Sequence, residues 1–399
     1  MVQTARKDLA EGPAPLSAPG SAGKVVVIAG ADRAAMAHCR VLLDVLRELA
    51  TDVVVVTRAG AGLFDVPDVS VVTLDGGRRS NGLLPRAGDA WKLACMLEAE
   101  RPQTVHSIGV EPATLAALAF SLAPTARAIL HLPDLARLDP RSNGMAWPRR
   151  KLASRLLAAL ARKPGSFLLL DCEDDLGDLR LQGIDPGPRV AVLAGTGVDP
   201  DVYPVLPPSQ SEMPIAAYVG PVDEAHGVRE LLQTFERLWA RGLRLQIEVH
   251  GDRGGEGAAP DALAQEWHRW RLHPGVRTFG WPADAREIWR RAEICVLPAH
   301  ERRGLPRVLL EAAACGRALI VSGAAGGRTF VRNEVEGIVV PVQDSSALGA
   351  ALERLARDAS LRQRMGAAAR LRVLQGFTEA HVKEALRGAY LSLLRAGQL

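Results

Sequence analysis

The sequence predicts two α/β domains, each built on a parallel sheet with helices on both faces. Three observations carry this. Short β-branched runs alternate with helical stretches along almost the whole 399-residue chain, which is the grammar of parallel sheets joined by crossover helices. The runs are continuously apolar rather than alternating, as KVVVIAG from Lys24 and DVVVVT at Asp52–Thr57 show, and that marks strands buried on both faces. A Gly/Pro-rich stretch without helical period, Gly195 to Pro208, separates the first series of units from the second. A chain of this length holds two cores of ordinary size.

Taken in order, residues 1–22 read as an Ala/Pro/Gly/Ser tail, without the continuous apolar core of a signal peptide. The first domain, 23–200, opens with the Lys24 strand, a helix over Ala34–Ala50 and the strand Asp52–Thr57. Its first turn, Gly30-Ala31-Asp32, holds one glycine where a dinucleotide fingerprint wants three. Strands near Val69–Leu74, Thr104–Ser107, Ala128–Leu132 and Ser166–Leu170 alternate with helices near Asp89–Glu100 and Pro112–Leu122. Asp174-Asp175 reads as a helix cap. Residues 201–213 are expected to link to a second domain over 214–377. There, strands at Ile215, Leu245–Gly251, Val276–Trp281, Ile294–Leu297 and Ala318–Ser322 alternate with helices over Val228–Ala240, Pro260–Arg271 and Asp284–Ala292. Amphipathic helices over Ser345–Arg357, Ser360–Gln375 and Thr378–Ala396 follow.

Composition narrows the function. Apolar content of 48% with 24% charge is that of a soluble globular protein, and no apolar run reaches a membrane span. A net charge of +4 and 4% aromatics give neither the basic face nor the stacking platform of a nucleic-acid binder. The five scattered cysteines, Cys39, Cys95, Cys172, Cys295 and Cys315, show no metal spacing and fit reduced thiols in a cytoplasm. One segment stands apart: Arg141 to Lys163 carries seven basic residues and no acid. Leu152, Leu156, Leu157 and Leu160 share a helical face there, behind Trp147. Such a helix, with Arg149, Arg150, Lys151 and Arg155, suits an anionic membrane surface. It equally suits an ordinary surface helix packed on the sheet.

The stretch from Leu297 to Asp344 organises the second domain. After the strand Ile294–Leu297, a Gly304-Leu305-Pro306 turn opens a helix, with Pro306 suited to the first helical position. The helix ends at Gly316; a buried strand and a Gly-rich turn, Gly323 to Gly327, lead to another helix start. Ligands of such sheets sit at the carboxyl ends of strands, facing helix N-termini that favour anions. A nucleotide- or phosphate-type pocket follows from this, although Gly-rich turns also occur in sheets that bind nothing.

GLPRVLLEAAACGR, a strand, a Gly-Gly turn, VRNEVEGIVVPVQD and LRQRMGAAARLRV come in this order, and the set resembles the donor site of retaining family-4 glycosyltransferases. GTGVDPDVYP, at the expected crossing between domains, is similar to that family as well. The resemblance implies the GT-B fold, two Rossmann-like parallel-sheet domains facing across a cleft, with residues 378–399 returning to the first. It implies a nucleotide-sugar donor, a lipid-linked or polysaccharide acceptor, and no metal or other cofactor. Glu311 matches the glutamate that accepts ribose hydroxyls, and Gly304, Leu305, Pro306, Gly326, Gly327, Arg328 and Thr329 match the turns around the donor. His131 matches a first-domain histidine beside the reacting sugar, with His106 on the neighbouring strand end.

The chain departs from the family at four positions. Pro221 and His226 stand where relatives place an Arg and a Lys for the diphosphate. Arg303 stands in place of a glutamate, with Glu301 two residues away, and Thr329 in place of another. Arg302, Arg303, Arg307 and Arg328 flank the same turns and are the candidates to compensate. Three readings follow: a hexosyltransferase-type enzyme of cell-surface glycan synthesis, cytoplasmic or at the inner membrane face; a non-catalytic homologue acting as a partner in such a pathway; and a phosphorylase, epimerase or other enzyme on the same two-domain plan, since fold alone does not decide function.

Overall fold

The computed structural model describes residues 22–30, 33–57, 69–74, 87–122, 126–138, 147–185, 187, 189–253, 262–282, 284–300, 304–324 and 326–395. The chain divides into two compact units, Met1–Thr196 together with His381–Leu399, and Gly197–Ala380.

In the first unit the elements are β1 (Gly23–Ala29), α1 (Arg33–Leu49), β2 (Ala50–Thr57), β3 (Ser70–Thr73), α2 (Ala87–Glu100), β4 (Thr104–Ile108), α3 (Val110–Leu122), β5 (Arg127–His131), α4 (Trp147–Arg162), β6 (Ser166–Leu170), α5 (Asp174–Leu181) and β7 (Val190–Val192). The seven strands form one sheet of order β3-β2-β1-β4-β5-β6-β7, every pair parallel. Alternation along the strands divides the core. Val26, Ile28, Val54 and Val56 face α2, α3 and α4, while Val25, Val27, Val53 and Val55 face α1. This is why the runs read as continuously apolar.

The second unit runs β8 (Ile215–Val219), α6 (Val228–Ala240), β9 (Gln246–His250), α7 (Ala262–Arg271), β10 (Val276–Phe279), α8 (Arg286–Arg291), β11 (Ile294–Leu297), α9 (Arg307–Ala314), β12 (Ala318–Ser322), α10 (Gly327–Phe330), β13 (Gly337–Val340), α11 (Ser345–Arg357) and α12 (Ala359–Gly376). Its sheet order is β10-β9-β8-β11-β12-β13, again all parallel. Ala318 and Ile320 face the α6/α11 core; Leu319 and Val321 face α8 and α9. Each sheet therefore has one place where the strand order reverses, between β1 and β4 and between β8 and β11. Ligands of open parallel sheets collect at such places.

The last helix, α13 (Glu379–Arg395), returns to the first unit, where Val382, Leu386, Ala389, Tyr390 and Leu393 complete the core on the α1 face. The expected linker, 201–213, differs from what is found at its start. Residues from Gly197 onward are fastened to the second unit: Arg370 donates to the carbonyls of Pro200, Tyr203 and Ala314 at 2.8–3.2 Å. Arg317 donates to Pro207 at 3.0 Å and to Trp289 at 2.9 Å.

Some local expectations are corrected. Pro306 is the cap residue of α9, with extended ψ of 126°, and not its first helical residue. Asp174 and Asp175 lie in the first turn of α5, whose cap residue Glu173 makes no side-chain hydrogen bond. On α4, Leu157 and Leu160 are buried and Leu156 is half-buried, but Leu152 is exposed. Arg149, Lys151, Arg155 and Arg162 are exposed, whereas Arg150 is buried at the same helix.

Candidate functional site

In the second unit, the loops after β8 and β11 meet at the reversal point of the sheet. Gly227 makes the approach possible: it has φ of 73°, and a Cβ there would lie 2.0 Å from the Pro298 carbonyl oxygen. The main chain of His300 donates to Ala225 at 2.9 Å, and its Nε2 pairs with Glu230 at 2.8 Å at the start of α6. The Tyr218 hydroxyl donates to the Pro221 carbonyl at 2.6 Å. His226 has its amide and its Nδ1 on Asp223 Oδ1, at 2.9 and 2.5 Å, with a side chain 14% exposed. The two positions expected to grip a diphosphate thus hold a proline and an imidazole already tied to a carboxylate. The backbone amides at the helix starts can still serve an anion there.

Glu311 lies in the second turn of α9 and is buried at 7% exposure. Its Oε1 accepts from the Tyr203 hydroxyl and from Arg307 Nε, both at 3.0 Å. Arg307 in turn reaches Glu379 at 3.1 Å. Among the described residues, Oε2 takes no hydrogen bond. Burial pushes this carboxyl up, and the charge of Arg307 and the Tyr203 hydrogen bond only partly offset it. The expectation that Arg307 serves a phosphate is corrected: it is shared between Glu311 and Glu379. Leu305 is buried in the α9 core, and Gly304 and Pro306 are half-buried beside it.

Gly326 caps α10 at φ 88°, ψ −62°, a conformation that suits only glycine. Gly327 packs so closely that a Cβ would sit 3.0 Å from the Val321 side chain. Arg328 is exposed, and Thr329 is half-buried with its carbonyl accepting from Arg372 at 3.1 Å. Glu301, Arg302 and Arg303 lie outside the described residues.

In the first unit, His131 ends β5 as expected, but it is buried at 2% exposure. Its Nε2 sits 3.1 Å from Asp171 Oδ1, and His38 Nε2 sits 3.3 Å from Asp171 Oδ2. Burial lowers the His131 pKa, opposed by the hydrogen bond that its Nε2 makes to the Asp171 carboxylate. Burial alone would raise Asp171, yet the two imidazoles hold it well below the usual carboxylate range. His106 is fully buried, with Nδ1 2.9 Å from the Tyr390 hydroxyl of α13. The partners Asp171, His38 and Tyr203 were missed in the sequence, because only the fold brings them to His131 and Glu311.

Comparison with known proteins now adds to this geometry. Residues 213–358 match the family described as glycosyl transferases group 1. The second unit is thus similar to a group 1 glycosyltransferase domain, in a chain of GT-B fold. The chain is 26% identical over 184 residues to the capsular polysaccharide biosynthesis glycosyltransferase CapM of Staphylococcus aureus, 46% of this chain and 47% of that protein. It is 32% identical over 228 residues to a D-inositol 3-phosphate glycosyltransferase of Frankia alni, 54% of each. The chain spans about half the length of the curated relatives it matches. Among solved structures, Anabaena HepE in complex with UDP-glucose superposes with a TM-score of 0.73 at 16% identity, covering 91% of this chain and 98% of that one. Sucrose-phosphate synthase from Thermosynechococcus elongatus gives 0.77 at 17%, covering 94% and 100%. At these identities the structural likeness speaks for the fold.

Proposed function

We propose that this protein is a glycosyltransferase that takes a nucleotide-sugar donor at the carboxyl edge of the second sheet. It moves the sugar, with retention, onto a lipid-linked or polysaccharide acceptor in cell-surface glycan synthesis at the cytoplasmic side of the membrane. The observation that carries the reading is Glu311. A buried carboxylate with one oxygen fixed by Tyr203 and Arg307, and the other without a partner among the described residues, is built to receive a diol such as ribose. The turn at Gly326-Gly327 and the starts of α6 and α9 supply backbone amides for the phosphates. His226, Arg328 and Thr329 are assigned to the same donor site, and Glu301 and Arg303 to the reacting end. His131 is assigned beside the sugar; it lies buried, with Nε2 against Asp171. CapM and the UDP-glucose complex of HepE support the glycan class and the donor class by analogy.

Most of this catalysis is positioning and electrostatics. The second reading, a non-catalytic partner, is favoured by Pro221 and His226: two lost cations remove roughly 3–6 kcal/mol at 1.5–3 kcal/mol each. That is on the order of 10² to 10⁴ in affinity or rate. Calorimetric titration of UDP, GDP and their sugar conjugates separates the readings. Saturable micromolar binding, followed by sugar transfer with the anomeric configuration read by NMR, supports the enzyme. No binding near millimolar leaves the partner. On α4, Arg149, Lys151 and Arg155 are assigned to an anionic membrane surface. No helix among the described residues is long and apolar enough to cross a membrane.

A further inference from the structure

Three side chains from three elements of the first unit converge at the carboxyl edge of its sheet. His131 ends β5, Asp171 follows β6, and His38 lies in the second turn of α1. Ile129 and Leu169, two residues earlier on each strand, belong to the core under α1, so strand alternation sends His131 and Asp171 toward the same helix. Exposures are 6% for His38 and 2% for the other two. Each imidazole faces its own oxygen of the carboxylate, at 3.3 and 3.1 Å, and the rings meet edge-to-face with centroids 4.6 Å apart. One donor atom from each of the three lies within 4.8 Å of the others.

Two features ask for a cation here. Among the described residues Asp171 touches only these two imidazoles, so no Lys or Arg neutralises a carboxylate that is almost wholly out of water. The donor set is also chemically selective. Two imidazoles and one carboxylate suit first-row transition metals and not Mg²⁺ or Ca²⁺, which take oxygen ligands. With bonds of about 2.0–2.1 Å, neighbouring donors of a tetrahedral zinc ion lie roughly 3.4 Å apart. Each imidazole lies close to that length from its own carboxylate oxygen, 3.1 Å to Oδ1 and 3.3 Å to Oδ2, so the pair suits an ion that Asp171 holds through both oxygens.

We propose that His38, His131 and Asp171 form a binding site for a zinc-class metal ion, with a fourth position left open. His106 stands outside the ligand set: its ring is 6.0 Å from that of His131, with Nδ1 on Tyr390 and a buried Nε2 that has no partner among the described residues. The inference does not rest on the transfer reading, because metal uptake is read without any nucleotide.

The experiment uses the full chain without a polyhistidine tag, stripped with chelator and returned to Zn²⁺ or Co²⁺. Elemental analysis should give about one metal ion per chain. Co²⁺ should show the intense visible absorption of a four- or five-coordinate site, and Zn²⁺ should raise the melting temperature. Asp171→Asn, which keeps the side-chain shape, should weaken binding by at least the 10–100-fold that even outer-shell changes cost. His268→Ala, at an exposed histidine, should leave it unchanged. Substoichiometric metal, a Co²⁺ spectrum of the aqua ion and a melting temperature indifferent to chelator would overturn the proposal. The cluster would then be held by a proton shared between imidazole and carboxylate. These wild-type readouts decide the matter even if the variant fails to fold.

Discussion

Replacing Glu311 with alanine separates what this carboxylate does for the fold from what it does for a ligand. In the fold, Oε1 takes hydrogen bonds from Tyr203 and Arg307, and Arg307 keeps Glu379 when Glu311 is gone. Losing one charge-assisted bond to each partner, at about 1.5–3 kcal/mol apiece, is cushioned by that second carboxylate and by the partial exposure of Arg307. A loss of about 2–4 kcal/mol is expected. For a domain of this size that lowers Tm by roughly 4–16 °C. In binding, two bonds to a ribose diol are worth about 3–6 kcal/mol, so nucleotide affinity should fall on the order of 10² to 10⁴-fold. Tyr203→Phe is the internal control. It removes one donor to Oε1, should cost about 1 kcal/mol of stability, and should leave nucleotide affinity within a few-fold of the parent. Calorimetry below both transitions, paired with thermal melts, reads the two effects independently. If folded Glu311→Ala binds nucleotide as the parent does, the assignment of Glu311 to the ribose is wrong. If Tyr203→Phe loses as much affinity as Glu311→Ala, the effect comes from the packing of the 197–207 segment and not from the carboxylate.

Other consequences are open to simple measurement. Gly227→Ala places a methyl against the Pro298 carbonyl in a left-handed conformation. It should destabilise the second unit by at least the roughly 1–2 kcal/mol of αL strain, seen in denaturant midpoints, and any nucleotide affinity should fall with it. Glu248 is fully buried; burial pushes its carboxyl up, but hydrogen bonds from His250 and Arg291 outweigh this and hold it below the usual value. A depressed carboxyl contributes stability above its unfolded pKa that is lost as pH falls through the folded one. The parent should therefore lose up to about 1.4 kcal/mol per pH unit below 4.5 from this group, and Glu248→Gln should flatten that limb. On α4, reversing Arg149, Lys151 and Arg155 to Glu should abolish salt-sensitive binding to phosphatidylserine vesicles, each cation contributing about 1 kcal/mol. An unchanged sedimentation profile would leave α4 an ordinary surface helix.

Much of the architecture was legible because the core strands are β-branched runs bounded by Gly or Pro. The strand Ala318–Ser322 and the helices Val228–Ala240 and Ser345–Arg357 fall where periodicity puts them. The strands β7 and β13, of three and four residues, escaped because their runs are too short for any period to show beside Gly- and Pro-rich neighbours. Helix α5 was legible only at its acidic start, Asp174-Asp175, and not in its extent, because DDLGDLRL carries a glycine and little apolar periodicity. The candidate site was half legible. Glu311 and His131 could be singled out because they match positions of the family that the chain resembles. Their partners could not: Tyr203 lies 108 residues from Glu311, and Asp171 lies 40 from His131. Such pairs are set by strand order and crossover, which local spacing does not encode.

The return of α13 bears on how the chain is made. The second unit is one continuous segment, Gly197–Ala380, whereas the first needs residues from both sides of it. On a ribosome, the sheet β1–β7 emerges first, but the core on its α1 face stays incomplete until Val382, Leu386, Tyr390 and Leu393 have been translated. The segment synthesised later can therefore finish folding earlier. Until then, the apolar side chains that α13 will cover on the nascent first unit lack that cover, and chaperones have something to hold.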